Sequence, residues 1–137
     1  MTDTKQDAEA TRYDAGMAVR RQVLGSAHVD RANSKLTEFN SEFQNLITRY
    51  AWGDIWTRPG LTRHTRSCSV LSMMIALGAW DEFRLHVNAA FNNGLTRDDI
   101  KEVIMMAAIY AGVPKANHAF KEAESVFAER EKAGLPG

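Results

Sequence analysis

Helical periodicity, cut into short lengths by glycine, proline and asparagine, is the feature that most restricts what this chain can fold into. Apolar residues recur three and four positions apart, and no stretch alternates as a half-buried strand does. A first helix is expected from about Asp7 to Leu24, with Tyr13, Met17 and Leu24 on one face and Gly25 as its stop. Residues 26–35 read as a polar linker. A second helix starts near Thr37, with Phe39, Phe43, Leu46, Ile47 and Tyr50 on one side, and ends at Gly53 and Arg58-Pro59-Gly60. Thr62 caps a third, which carries Val70, Leu71, Met73, Met74, Ile75 and Leu77 into the core and closes at Gly78. A fourth runs from Trp80 to Asn92 and stops at Asn92-Asn93-Gly94. Thr96 caps a fifth, almost wholly apolar from Val103 to Ala111 and therefore expected to be the central, buried one. Gly112 breaks the chain, and Pro114 opens a sixth helix reaching about Lys132, followed by a frayed tail.

This pattern predicts an all-α, single-domain bundle of about six helices over 1–137, with an N-terminal helix and linker (6–35) and a helical core (36–132). A chain of 137 residues suffices for one hydrophobic core. Seventeen Lys plus Arg balance seventeen Asp plus Glu, so no global field favours nucleic acid or an anionic membrane. The one cysteine, Cys68, excludes an internal disulfide and a thiolate-rich zinc cage, and suits a reducing compartment. The polar start of the chain lacks a signal-peptide pattern, and Val103–Val113 is too short to span a bilayer. The expected location is the cytoplasm.

No nucleotide-binding loop, dinucleotide fingerprint or nucleophile elbow occurs, and no pair of histidines stands at metal-ligand spacing, so a protein-built metal site is not expected. Among the four histidines, His86 stands out, mid-helix and four residues after Glu82. That spacing puts both on one face, and an adjacent carboxylate favours the imidazolium, which suits a proton donor. A histidine satisfied at the edge of the core accounts for the same spacing. Arg49, Arg58, Arg63 and Arg66 fall close to Tyr50, Trp52 and Trp56. Guanidinium groups grip carboxylates in two parallel hydrogen bonds and stack on aromatic faces, as a pocket for a small polycarboxylate requires. A solvated basic surface with tryptophan packing anchors is the plainer alternative. Met73-Met74 and Met105-Met106 read as core filler. Cys68 reads as a buried structural thiol, although His64 at i−4 keeps a nucleophile in play. His28, in the linker, and His118 read as surface or interface residues.

The stretch Tyr50-Ala51-Trp52-Gly53-Asp54-Ile55-Trp56-Thr57-Arg58-Pro59-Gly60-Leu61 resembles the carboxymuconolactone decarboxylase family. The likeness continues through Thr65-Arg66-Ser67, from His86-Val87 through Asn93-Gly94 to Glu102-Val103, and over Ala108–Phe120. It includes Arg12-Tyr13, Gly16-Met17 and Val19–Gly25 near the N-terminus. The resemblance implies the alkylhydroperoxidase-like helical fold. Redox members of that wider superfamily carry two cysteines that fall here on Ala79 and Glu82, and a glutamate that falls near Ser67. With both thiols absent, disulfide cycling is ruled out and decarboxylation is favoured.

The implied reaction is cofactor-free loss of carbon dioxide from γ-carboxymuconolactone, giving β-ketoadipate enol-lactone in protocatechuate catabolism. In the roles this implies, Arg58 and Arg49 hold the substrate carboxylate and Trp56 walls the ring. Arg66 or Arg63 steadies the oxyanion, and His86, polarised by Glu82, donates the proton. The resemblance also implies a homo-oligomer, a hexamer, and the first helix reads as having more apolar surface than a monomer need cover. Two other readings remain: a redox-inactive relative acting on another lactone or ketoacid, and a non-catalytic oligomeric ligand-binding protein.

Overall fold

A computed structural model describes residues 4–137. Among these residues there are seven α-helices and one π-helix, and the rest is turn or irregular chain. The all-α class is as the periodicity predicts. The chain divides into two compact units, one ending at Leu61 and the other beginning at Thr62.

The first unit holds α1 (Thr4–Leu24), α2 (Ser26–Ser34), α3 (Ser41–Ile47) and a π-helix (Thr48–Trp56). The stretch expected to be a linker is α2. Its one fully buried side chain is Val29, and Asp30 accepts a 2.7 Å bond from Arg21 of α1. That tertiary support is invisible in a segment with so few apolar residues. The predicted second helix starts late, after a turn in which Thr37 and Asn40 bond each other's backbone N–H, and its second half is wound as a π-helix. Its face Phe39, Phe43, Leu46 and Tyr50 is exposed rather than packed, Phe39 by 98%. In α1 the buried stripe is Gly16, Val19, Arg20 and Val23, while Tyr13, Met17 and Leu24 are half-buried.

The glycines of α1 and the π-helix set how the two cross. A Cβ on Gly16 would stand 2.2 Å from the Thr48 carbonyl oxygen, and one on Gly53 would stand 2.6 Å from that of Arg12. Backbone therefore meets backbone here, which any side chain would prevent.

The second unit packs α4 (Arg63–Leu77), α5 (Trp80–Asn92), α6 (Arg97–Tyr110) and α7 (Val113–Lys132). These ends follow from local chemistry. Thr62 accepts from the Thr65 N–H, Gly78 takes φ 68° to end α4, and Pro114 lies in the first turn of α7. At α6, Thr96 and Asp99 bond each other's backbone N–H reciprocally. Leu71, Ile75, Phe83, Val87, Ile104 and Val126 form the core, and Ala116, Ala119 and Ala123 let α7 approach closely. Fully burying a side chain such as Phe83 contributes about 1.5–3 kcal/mol.

Three expectations for this unit are corrected. Helix α6 buries only Ile100, Ile104 and Ala107, while Met105, Met106, Ile109 and Tyr110 are exposed, the last two by 76% and 85%. Its apolar residues run right round the helix, and the unit supplies partners for one side. Met73 and Leu77 of α4 are likewise exposed rather than core. The surplus apolar surface thus lies on α3, α4 and α6, not on the first helix. The tail is held rather than frayed: Arg130 donates to the Pro136 carbonyl at 2.7 Å, and Arg97 to the Gly137 backbone oxygen at 2.6 Å.

Candidate active site

The π-helix carries Arg49, Tyr50, Trp52 and Trp56. Trp52 and Trp56 are buried and stack with ring centroids 5.2 Å apart at 29°. Arg58 follows at the exposed exit of the π-helix, where its N–H donates to the Ile55 carbonyl. Runs of π-helix are rare and cluster at functional sites. Arg49 projects from the same helix, its Nη1 3.4 Å from a Glu9 carboxylate oxygen. Glu9, Asn45 and Arg49 line two cavities, of about 720 and 330 Å3. Glu9 as the partner of Arg49 was missed from sequence, since forty residues separate them and neither belongs to a recognisable motif.

In the second unit, Arg63 and Arg66 lie one turn apart at the start of α4, both half-buried. On α5, which packs against α4, Glu82 is exposed in the first turn and His86 is half-buried one turn later. Ser67 is fully buried, and its hydroxyl has no hydrogen-bond partner among the described residues.

The remaining chemistry-bearing residues have other surroundings. Cys68 is half-buried, with Sγ 3.9 Å from His64 Nδ1, and burial followed by the Asp99 charge pushes the thiol up, against thiolate formation. His118 is exposed, in keeping with its reading as a surface or interface residue; it stacks on Trp80 at 4.1 Å and lies 3.2 Å from Glu122, which also accepts from Arg84. His28 sits half-buried in α2, where burial and then Arg31, Arg20 and Lys35 lower its proton affinity. Among the described residues, no group of three or more His, Cys, Asp or Glu side chains is placed to hold a metal ion. Nor is any helix among the described residues long and apolar enough to cross a membrane.

The sequence that carries these residues has relatives among known proteins. Residues 41–125 match the model of the carboxymuconolactone decarboxylase family. The chain is 51% identical over 116 residues to a 4-carboxymuconolactone decarboxylase of Acinetobacter baylyi, spanning 85% of this chain and 87% of that one. It is 67% identical over 46 residues to a protein of the same name from Pseudomonas putida, spanning 34% of this chain and 96% of that one. It is also 41% identical over 116 residues to a nitrosuccinic acid decarboxylase of Metarhizium robertsii, spanning 85% of this chain and 81% of that one. The match spans Ser41 to Ser125 and so takes in the π-helix with its tryptophans, the arginines of α4 and His86 alike: this chain belongs to the carboxymuconolactone decarboxylase family.

Proposed function

We propose that the protein is a decarboxylase of 4-carboxymuconolactone, yielding β-ketoadipate enol-lactone and carbon dioxide in protocatechuate breakdown. The observation that carries the reading is the 51% identity, over most of both chains, to the Acinetobacter baylyi decarboxylase. The chemistry suits a site built from arginine, tryptophan and histidine. When the bond to the departing carboxylate breaks, its electron pair flows through the ring double bond into the lactone carbonyl as a dienolate. The substrate is its own electron sink. A nitro group beside a departing carboxylate is a sink of the same kind, so the relatives' names point to one shared demand.

The protein then has three tasks: hold a carboxylate, steady the developing oxyanion, and protonate the ring carbon. Arg58 and Arg49 hold the carboxylate, and Trp56 walls the ring. The long Glu9 contact is one that Arg49 can exchange for a substrate carboxylate. Arg66, with Arg63 a turn away, steadies the oxyanion. His86 donates the proton, with Glu82 polarising it. Ultraviolet monitoring of carboxymuconolactone added to purified protein tests the reading. Turnover that survives chelation supports it, whereas thermal stabilisation by the lactone without turnover identifies a binding protein.

The working form is a homo-oligomer in the cytoplasm. The exposed Met105, Met106, Ile109 and Tyr110 of α6, with a groove of about 340 Å3 that Met73, Met106 and Tyr110 line, support self-association, because soluble monomers rarely expose large apolar patches. The family resemblance supports a hexamer. Sedimentation of the wild type against Ile109→Glu measures this, and an unchanged monomer in both would exclude it.

A further inference from the structure

We propose that Arg12 and Asp54 are positioning residues, forming with the Gly16–Gly53 crossing a brace that sets the phase of the π-helix and thereby orients the Trp52–Trp56 wall. The inference rests on the pocket assigned above only for its effect on substrate.

A π-helix of nine residues has little intrinsic stability and needs outside support to persist. Helix α1 supplies it along one line. The close approach at Gly16 falls on the Thr48 carbonyl and the Gly53 N–H, so it covers the first half of the π-helix. Arg12 meets the π-helix twice. Its carbonyl lies where a Gly53 Cβ would be, and its guanidinium forks onto the Asp54 carboxylate, with Nε 2.9 Å from Oδ1 and Nη2 on Oδ2. The two-pronged contact raises the proton affinity of the guanidinium and constrains rotation as well as distance. Asp54 stands between Trp52 and Trp56, so turning it turns both rings. The side chains of the pair are about two-fifths exposed, and such a surface ion pair does little for global stability. Its consequence is therefore geometric.

The test compares Asp54→Asn and Arg12→Gln with the charge-swapped Arg12→Asp/Asp54→Arg protein. Trp56→Phe identifies the circular-dichroism couplet of the stacked pair. Both single variants should melt near the wild type, lose most of that couplet without substrate present, and raise KM for the lactone several-fold at nearly constant kcat. The swapped protein should recover couplet and KM together. Wild-type couplets in both single variants would overturn the brace, as would a swap that restores neither readout. A lost and regained couplet in a protein with no lactone turnover would leave the brace standing and defeat the decarboxylase reading instead.

Discussion

His64 Nε2 lies 3.3 Å from Asp99 Oδ2, tying the first turn of α4 to the first turn of α6. Asp99 also accepts from the Thr96 N–H at 2.9 Å, and these bonds, the backbone one foremost, hold its carboxyl below the usual aspartate range. A depressed folded value stabilises above the unfolded one and is lost as pH falls through the folded one. The melting temperature of wild type should therefore exceed that of Asp99→Asn at neutral pH, and the gap should close below about pH 4. A gap that persists in acid would show that the bonds do not depend on the charge.

Arg58→Lys keeps the charge but loses the planar fork, and a hydrogen bond to a charged group is worth about 1.5–3 kcal/mol. The loss should appear chiefly in KM if Arg58 binds ground and transition states alike. Unchanged KM and kcat would put Arg58 outside the pocket.

His86→Gln preserves bulk and hydrogen bonding but delivers no proton. Lost general acid catalysis should lower kcat by about 10²–10⁴-fold in a normally folded protein. Near-native kcat in His86→Gln would shift the donor role to His64 or water.

Cys68→Ser should remain active, and so should enzyme treated with a thiol alkylator, since burial and the neighbouring Asp99 charge keep this thiol protonated. An inactive but folded Cys68→Ser protein would give the thiol a chemical role.

Truncation after Gly134 removes the Pro136 carbonyl from Arg130, a buried guanidinium whose Nη1 bonds Asn88 and which lies over the Phe91 ring. Losing an acceptor for a charged donor should cost about 1.5–3 kcal/mol in denaturant unfolding. No measurable change would mean that water replaces the tail.

Helices α4 to α7 were readable in the chain because their ends are local events. Thr62, Gly78, Thr96 and Pro114 act within one turn of themselves, so their effect travels with the sequence. Helix α2 was not readable, since it depends on Val29 buried at a distance and on Arg21 reaching Asp30. Nor was the π-helix, because the apolar spacing of Phe43, Leu46, Ile47 and Tyr50 satisfies the ordinary helical period while the backbone changes winding at Thr48. Of the candidate site, the residue types and their family pattern were visible. Their contacts, Arg49 with Glu9 and Trp52 on Trp56, were not.

Alone, the sequence determined the all-α class, the helix punctuation and the family, all of which follow from which residues stand near one another along the chain. Tertiary structure decided which apolar faces are covered, how Gly16 and Gly53 let two backbones meet, and where Arg12 finds Asp54 forty-two residues away. The physical reason is that periodicity records that a face is apolar but not what packs on it. A salt bridge or a backbone contact between distant segments exists only once the chain has folded.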